Sequence, residues 1–146
     1  MHSKNLTIAL AGNPNSGKTT IFNIITGTRQ KVGNWPGVTV AKKEGRIHKF
    51  GYDLKIIDLP GTYSLTPYSI EEIVARNYVL DERPDVVVDI IDASNLERSL
   101  YLATQLRELD CKVLFALNMA DLARTRGMKI DADKLSRLLD VPVIFT

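Results

Sequence analysis

The sequence predicts an α/β fold: a mostly parallel central sheet with helices on both faces and one antiparallel edge strand. Short apolar runs alternate with helical patterns along the chain, which is typical of βα repeats. The runs are apolar at nearly every position, which indicates strands buried on both faces by helices above and below. Two of the strand patterns are joined by Gly51-Tyr52, a turn typical of hairpins, which predicts the antiparallel strand.

Each element follows from its local pattern, taken in chain order. Continuous or alternating apolar runs predict strands at 6–11, 39–50, 53–59, 85–91, 112–118 and 141–145. Helical spacing, such as the stripe Leu102, Leu106, Leu109, predicts helices at 20–26, 70–80, 96–109 and 134–139. Segments 28–38 and 60–69 lack periodicity and are rich in Gly, Pro, Thr and Asn, so we expect mobile loops there.

Composition bounds the class of protein. The 146 residues, 45% hydrophobic and 25% charged, suit one ordinary globular domain. The net charge is only +2 and the 19 basic residues are scattered along the chain, so we expect no nucleic-acid partner. Cys111 is the single cysteine, the N-terminus lacks the apolar segment of a signal peptide, and no apolar run is long enough for a bilayer. We therefore expect a soluble chain in the cytosol.

A phosphate loop lies between the first strand and the first helix. Residues 12–19 read GNPNSGKT and match the pattern G-x-x-x-x-G-K-[ST] in the required strand–loop–helix context. The glycines allow the backbone to approach phosphate oxygens, and inward N–H groups and the helix dipole attract the anion. Lys18 is expected on the β- and γ-phosphates, and the Thr19 hydroxyl is expected on Mg²⁺.

Two weaker motifs follow later strands. Asp58 and Gly61 form D-x-x-G at the end of a strand, where the carboxylate can hold Mg²⁺ through water and the glycine N–H can meet a γ-phosphate. Asn118 and Asp121 form N-x-x-D after another strand, and a carboxylate there can accept the paired N–H groups of guanine, which adenine lacks. Met119 stands where many GTPases have lysine, so apolar cover of the base is expected. The predicted nucleotide-binding residues are Gly12, Asn13, Pro14, Asn15, Ser16, Gly17, Lys18, Thr19, Thr20, Asn118, Met119 and Asp121.

These motifs resemble a P-loop NTPase of the Ras-like, translation-factor-related class of G domains. Four segments narrow the resemblance: GNPNSGKT at 12–19, NWPGVTV at 34–40, DLPGTYSL at 58–65, and DASNLER with the following YL at 92–102. Together they resemble the N-terminal G domain of the ferrous iron transport protein B (FeoB) family over nearly the whole chain.

The resemblance implies a regulatory domain that binds GTP and GDP with Mg²⁺. Thr39 would be a Mg²⁺ ligand and γ-phosphate sensor, ordered with GTP and released after hydrolysis. The implied partners are a helical regulatory domain and a membrane region that moves Fe²⁺, at the cytoplasmic face of the inner membrane, with self-association left open. The implied switch residues are Gly33, Asn34, Trp35, Pro36, Gly37, Val38 and Thr39, followed by Asp58, Leu59, Pro60 and Gly61.

Departures from related patterns bear on catalysis. Thr62 stands where Ras-like enzymes have the glutamine that orients water, which predicts slow hydrolysis. By the resemblance, Asn15 corresponds to the asparagine that binds K⁺ in potassium-activated G domains, with carbonyls such as those of Gly33 and Trp35 completing the shell. The predicted catalytic residues are thus Lys18, Asn15, Thr39 and Gly61. Asp89 replaces an amide usual in the family, and two placements stay open: facing the nucleotide crevice, or near a strand end with a hydrogen-bond partner.

The sequence is compatible with two functions. One is a slow, potassium-stimulated GTPase, and the other is a nucleotide-gated switch with negligible hydrolysis of its own. A potassium-activated GTPase acting on RNA is disfavoured by the scattered basic residues. We expect the domain, 1–146, to be truncated before the guanine-side loop and last helix. His2 and His48 have no cysteine or carboxylate cluster in the sequence, so neither predicts an iron site.

Overall fold

The computed structural model describes residues 4–146. It contains a seven-stranded sheet with the order β2-β3-β4-β1-β5-β6-β7. The strands are β1 Lys4–Gly12, β2 Gln30–Asn34, β3 Ala41–Lys49, β4 Tyr52–Asp58, β5 Val86–Asp92, β6 Val113–Asn118 and β7 Val143–Phe145. The helices are α1 Lys18–Thr26, α2 Ile70–Glu82, α3 Leu96–Glu108, α4 Ala120–Thr125 and α5 Ala132–Leu139, and a 3₁₀ turn, Ala93–Asn95, precedes α3.

The sheet is parallel from β4 to β7, and β3 pairs antiparallel with both β4 and β2. The predicted α/β class with an antiparallel strand at this edge is confirmed. Segment 28–38 was expected to be a loop, and that prediction is wrong for Gln30–Asn34, which forms the outermost strand. The strand expected from residue 39 begins at Ala41 instead. Helix α4 was not predicted, because its six residues are too short for a periodic signal.

The core has a larger part on the α2/α3 face of the sheet and a smaller part on the α1 face. Alternate residues of β1 supply both: Ala9 and Ala11 belong to the larger cluster and Leu10 to the smaller one. Phe22 of α1 is fully buried against Leu10 in the smaller cluster. Helices therefore pack on both faces, as the near-continuous apolar strands predicted.

Helix α1 sits directly on the backbone of β3. A Cβ added at Gly45 would lie 2.1 Å from Thr26 Cγ2, so only glycine allows the helix this close. The Thr26 hydroxyl donates to the Phe22 carbonyl at 2.7 Å and is buried. The C-terminal turn of α1 is thus fixed against the sheet.

Helix α2 begins where loop 60–69 ends. Ser69 Oγ accepts from the Glu72 N–H at 3.2 Å, and Glu72 Oε2 accepts from the Tyr68 N–H at 3.2 Å. This reciprocal cap and the acidic first turn stabilise the helix start. No helix in residues 4–146 combines the length and the apolar character needed to cross a bilayer.

Candidate nucleotide site

The motif residues meet at the carboxyl edge of the parallel strands. β1 ends at Gly12, β4 at Asp58 and β6 at Asn118. Because parallel strands present their carboxyl ends on one side, the phosphate loop, Asp58 and Asn118 share one crevice. Its floor lies over the central strand β1, between β4 and β5.

The phosphate loop has a backbone shape that exposes N–H groups. Asn15 and Gly17 both have positive φ, 66° and 89°. Alternation of this kind turns successive N–H groups toward one side and forms an anion-binding nest. A cavity of about 370 Å³ lies against the loop and is lined by Asn13, Pro14, Asn15, Gly17, Lys18, Thr19, Thr20 and Gly61. The predicted phosphate-side residues therefore surround one cavity.

Lys18 and Asp58 form a buried ion pair across this site. Lys18 Nζ contacts Asp58 Oδ1, and the two side chains are each about 7% exposed. A charge this deeply buried requires a partner, and each group provides it for the other. Lys18 lines the cavity, where its amine can meet phosphate, and the paired Asp58 carboxylate lies beside it, where it can meet a hydrated cation.

Two orphaned polar atoms point to missing partners at the same place. Asn13 Oδ1 and Ser16 Oγ are buried and have no hydrogen-bond partner. Unpaired buried polar atoms are rare in folded proteins and call for an explanation. The Ser16 hydroxyl can donate to a phosphate oxygen, whereas Asn13 Oδ1 only accepts and requires a different partner. The oxygen-preferring chemistry of Mg²⁺ matches the Thr19 hydroxyl and the Asp58 carboxylate.

The guanine-side motif is tied directly to the phosphate loop. Asn118 Nδ2 donates to the Ser16 carbonyl at 2.9 Å, and Thr146 Oγ1 donates to Asn118 Oδ1 at 3.0 Å. A Cβ at Gly17 would lie 2.1 Å from Asn118 Nδ2, so glycine is required there for packing as well as for its φ. The side chain of Asn118 thus stabilises the phosphate loop.

A second cavity, of about 600 Å³, adjoins Asn118. It is lined by Asn118, Met119, Ala120, Asp121, Ala123, Arg124, Met128, Lys129, Ile130, Phe145 and Thr146. The Asp121 side chain is 95% exposed and pairs with Arg124 one turn further along α4. Met119, with φ 60°, caps the same helix and lines the cavity. Both predicted base-contacting groups therefore border a cavity next to the phosphate loop.

The predicted switch residues 33–39, called switch I from here on, lie at the end of β2 and in the turn that leads to β3. Trp35 N–H donates to the Val40 carbonyl at 2.9 Å and Val38 N–H donates to the Trp35 carbonyl at 3.2 Å, which closes the β2–β3 hairpin. Thr39 is exposed between these two bonds. The Trp35 carbonyl is therefore hydrogen-bonded within the hairpin, and Thr39 is not among the residues that line the phosphate-loop cavity.

Trp35 is buried, 7% exposed, against α2. Its ring meets the Tyr78 ring edge-on with centroids 5.5 Å apart, and Lys42 Nζ lies 4.8 Å from its centre. Burial, with the nearby Glu82 and Glu44 carboxylates, raises the pKa of Tyr78 to about 12. The tryptophan is thus part of the core in this conformation.

Asp89 takes neither of the placements left open by the sequence. It lies in the middle of β5, is 1% exposed, and its Oδ2 has no hydrogen-bond partner. Burial raises the pKa of this carboxyl to about 8. The group is therefore neutral at and below neutral pH, as an amide would be.

Three contacts around loop 60–69 were missed by sequence reasoning. Arg98 Cζ lies 4.1 Å from the centre of the Tyr63 ring, and Gln105 Oε1 accepts from the Leu65 N–H at 2.5 Å. Asn13 Nδ2 donates a long hydrogen bond, 3.5 Å, to the Arg98 carbonyl. Arg98 and Tyr63 both lie in segments that carried the family resemblance, which was the only signal for them.

Within residues 4–146, His48 belongs to no cluster of metal-binding side chains. His48 Nδ1 lies 2.6 Å from Asp53 Oδ1 on the exposed surface. Residues 4–146 hold no group of three or more His, Cys, Asp and Glu side chains arranged for a metal. His2 lies outside the described residues.

The sheet order, the phosphate loop and the motif positions at three strand ends define a P-loop G domain of the Ras-like class. The model of the ferrous iron transport protein B family, in its N-terminal part, matches residues 6–146. The chain belongs to this family.

Named relatives agree with this assignment. The chain is 51% identical over 145 residues to the Fe(2+) transporter FeoB of Salmonella typhimurium strain LT2, covering 97% of this chain and 19% of that protein. The chain thus spans about a fifth of the length of the curated relatives it matches.

Solved structures agree as well. The cytosolic domain of the T. maritima FeoB iron transporter in its GMPPNP form has a TM-score of 0.92 and 50% identity, covering 97% of this chain and 56% of that one. A GDP-bound mutant of the S. thermophilus FeoB G domain has a TM-score of 0.92 and 57% identity, covering 97% and 54%.

Proposed function

We propose that this chain binds GTP and GDP with Mg²⁺ and hydrolyses GTP slowly, with stimulation by K⁺, as the regulatory domain of a ferrous iron membrane transporter. The observation that carries the proposal is the joining of the two halves of the site: Asn118 of the base-side motif is hydrogen-bonded to Ser16 of the phosphate loop. Solved relatives in GDP-bound and GMPPNP forms support the choice of guanine nucleotides.

Phosphate recognition falls to the loop and to Lys18. The N–H groups of the nest and the start of α1 attract the phosphates, and the Lys18 amine neutralises their charge from the cavity floor. Asp58 keeps that amine in place through the buried ion pair. We propose that bound phosphate shares Lys18 and that Asp58 turns to the hydration shell of Mg²⁺.

Base recognition is assigned to Asp121 and Met119. The exposed Asp121 carboxylate can accept two N–H groups from guanine, and its surface pair with Arg124 is weak enough to yield. Met119 offers an apolar surface to the ring. Adenine would leave the carboxylate unpaired, which gives the site its selectivity.

Hydrolysis requires water to attack the γ-phosphorus while the bond to the bridging oxygen of GDP breaks. Mg²⁺ and K⁺, when bound through Thr19, Thr39, Asp58 and Asn15, supply positive charge for the transition state. Lys18 and the Gly61 N–H are the groups of the chain itself proposed to face the transferred phosphate. Positioning and charge, rather than covalent chemistry, would carry the reaction.

A nucleotide-gated switch without useful hydrolysis is the second candidate. It is favoured by Thr62, which is 5% exposed and donates its N–H to the Gly12 carbonyl at 3.0 Å. The residue after Gly61 is therefore engaged with the phosphate loop and has a short side chain, so it is poorly suited to orient water. In this reading the output is the conformation of the switch residues.

GTP turnover in KCl and in NaCl at equal ionic strength tests the two candidates. We expect K⁺ to stimulate turnover of the unmodified chain and Asn15→Ala to abolish the stimulation. Asn77→Ala, an exposed asparagine on α2 remote from the cavities, is the matched control and should behave as the unmodified chain. GTP binding with negligible turnover in both salts would reject the enzyme and leave the switch. Equal turnover in both salts would reject the role of Asn15.

A further inference from the structure

Loop 60–69 is held on helix α3 at two points. Gln105 Oε1 accepts from the Leu65 N–H, and Gln105 Nε2 donates to Thr66 Oγ1 at 3.3 Å. Two turns earlier on the same face of α3, the Arg98 guanidinium lies over the Tyr63 ring, 4.1 Å from its centre. Residues 63–66 thus follow the surface of α3.

The phosphate loop touches the same turn of α3. Asn13 Nδ2 donates to the Arg98 carbonyl, and Asn13 Oδ1 is buried without a partner. On the other side of the loop, a Cβ at Gly61 would lie 3.3 Å from the Pro14 backbone. The phosphate loop therefore contacts Gly61 on one side and the Arg98 carbonyl on the other. The Arg98 side chain in turn contacts Tyr63.

The guanidinium of Arg98 has no carboxylate in reach among the described ion pairs. Its described side-chain partner is the Tyr63 ring, which is 39% exposed. The exposed arginine therefore has an aromatic ring, not a carboxylate, as its described side-chain partner. A cation–π contact at this place fixes the ring and, through two peptide units, the position of Gly61.

We propose that Arg98 is a positioning residue for the γ-phosphate contact. It holds Tyr63 so that the Gly61 N–H can face the third phosphate, and its carbonyl links this arrangement to Asn13 of the phosphate loop. The proposal rests on the proposed function, in which Gly61 meets the γ-phosphate. GDP has no third phosphate, so the contact contributes to binding of the triphosphate and not of the diphosphate.

The test measures Kd for fluorescent GMPPNP and GDP, with Mg²⁺, on the 146-residue chain. Arg98→Met and Tyr63→Leu should each weaken GMPPNP binding about fivefold, the size of one cation–π contact, with GDP binding unchanged. The double variant should lose no more than either single variant. Arg98→Lys and Tyr63→Phe retain the cation and the ring, and should recover most of the GMPPNP affinity.

Arg107→Met is the control, an exposed arginine on the same helix without a described partner. It should leave the ratio of the two dissociation constants unchanged. Equal weakening for both nucleotides, additive losses in the double variant, or the same ratio shift in the control would overturn the proposal and leave Arg98 as a packing residue. If Arg98→Met fails to fold, Tyr63→Leu against Tyr63→Phe decides by the same ratio. An unmodified chain that binds neither nucleotide overturns the proposed function as well.

Discussion

Asn118 and Ser16, 102 positions apart in the sequence, are joined by a 2.9 Å hydrogen bond from the Asn118 amide to the Ser16 carbonyl. The base-side motif therefore also supports the phosphate loop. Asn118, which the sequence assigns to base recognition, thus also stabilises the phosphate loop.

Asn118→Ala should consequently weaken binding of GDP and GMPPNP to the same extent. Losing this part-buried bond removes the amide donor of the Ser16 carbonyl and loosens the loop, a cost of about 1 kcal/mol or roughly fivefold in Kd. Titration with fluorescent nucleotides measures it, with Asn77→Ala as control. Weakening confined to one nucleotide would contradict this role of Asn118.

The buried Lys18–Asp58 pair should give strongly coupled stabilities. Asp58→Asn leaves a buried ammonium without its counter-charge and should lower the free energy of unfolding by about 3 kcal/mol. Lys18→Met in the Asp58→Asn background removes that charge and should restore most of the loss. Urea unfolding without nucleotide measures the coupling, and it compares the unmodified chain, Asp58→Asn, Lys18→Met and the double variant. If the losses of the two single variants simply add in the double variant, the ion pair is not formed.

Asp89 should make stability fall as pH rises. Its pKa in the fold, about 8, exceeds the unfolded value of 3.8, so the fold keeps a proton that the unfolded chain releases. The stabilisation is complete below the unfolded pKa and is lost progressively up to the folded pKa. As the pH rises from 5.5 to 8.5, this group alone should lower the free energy of unfolding by about 3 kcal/mol.

Asp89→Asn isolates this effect, because the other titrating groups are common to both proteins. Urea unfolding at both pH values should show a steeper loss for the unmodified chain than for the variant. Parallel pH profiles would mean that Asp89 is ionised at ordinary cost in the fold.

Trp35, the single tryptophan, should report the movement of switch I. Movement of Thr39 onto Mg²⁺, as proposed above, is expected to open the hairpin bonds of Trp35 on either side of it and to expose the buried ring. We expect a red shift of the fluorescence with Mg²⁺ and GMPPNP, and a smaller one with GDP. Thr39→Ala should give the same fluorescence shift with GMPPNP as with GDP. If the two shifts still differ in this variant, the signal comes from a movement that does not involve Thr39.

Much of this architecture could be predicted because its signals are local. A glycine-rich turn between a buried strand and a helix specifies the phosphate loop, and parallel strands bring Gly12, Asp58 and Asn118 to one edge without further information. Strand β2 could not be predicted, because Gly33 and Asn34 have loop propensities and pair only when β3 supplies a template. Tertiary context overrode local preference there.

The contacts between side chains could not be predicted from the sequence pattern. The burial of Trp35 depends on Tyr78 of α2, and that of Asp89 on packing against both neighbouring strands. The position of Arg98 over Tyr63 depends on the path of loop 60–69, which has no periodicity. Motifs place the chemistry at strand ends but do not specify contacts between loops.

The seat of helix α1 has a mechanical consequence. Its first turn is braced by Asn118 packed on Gly17, and its last turn is pressed onto the sheet at Gly45. Both ends of α1 are closely packed in this structure, so we expect the helix that carries Lys18 to move little when a third phosphate binds. A conformational response to nucleotide is therefore expected in the β2–β3 hairpin and in loop 60–69 on α3, with the phosphate loop as the part that stays in place.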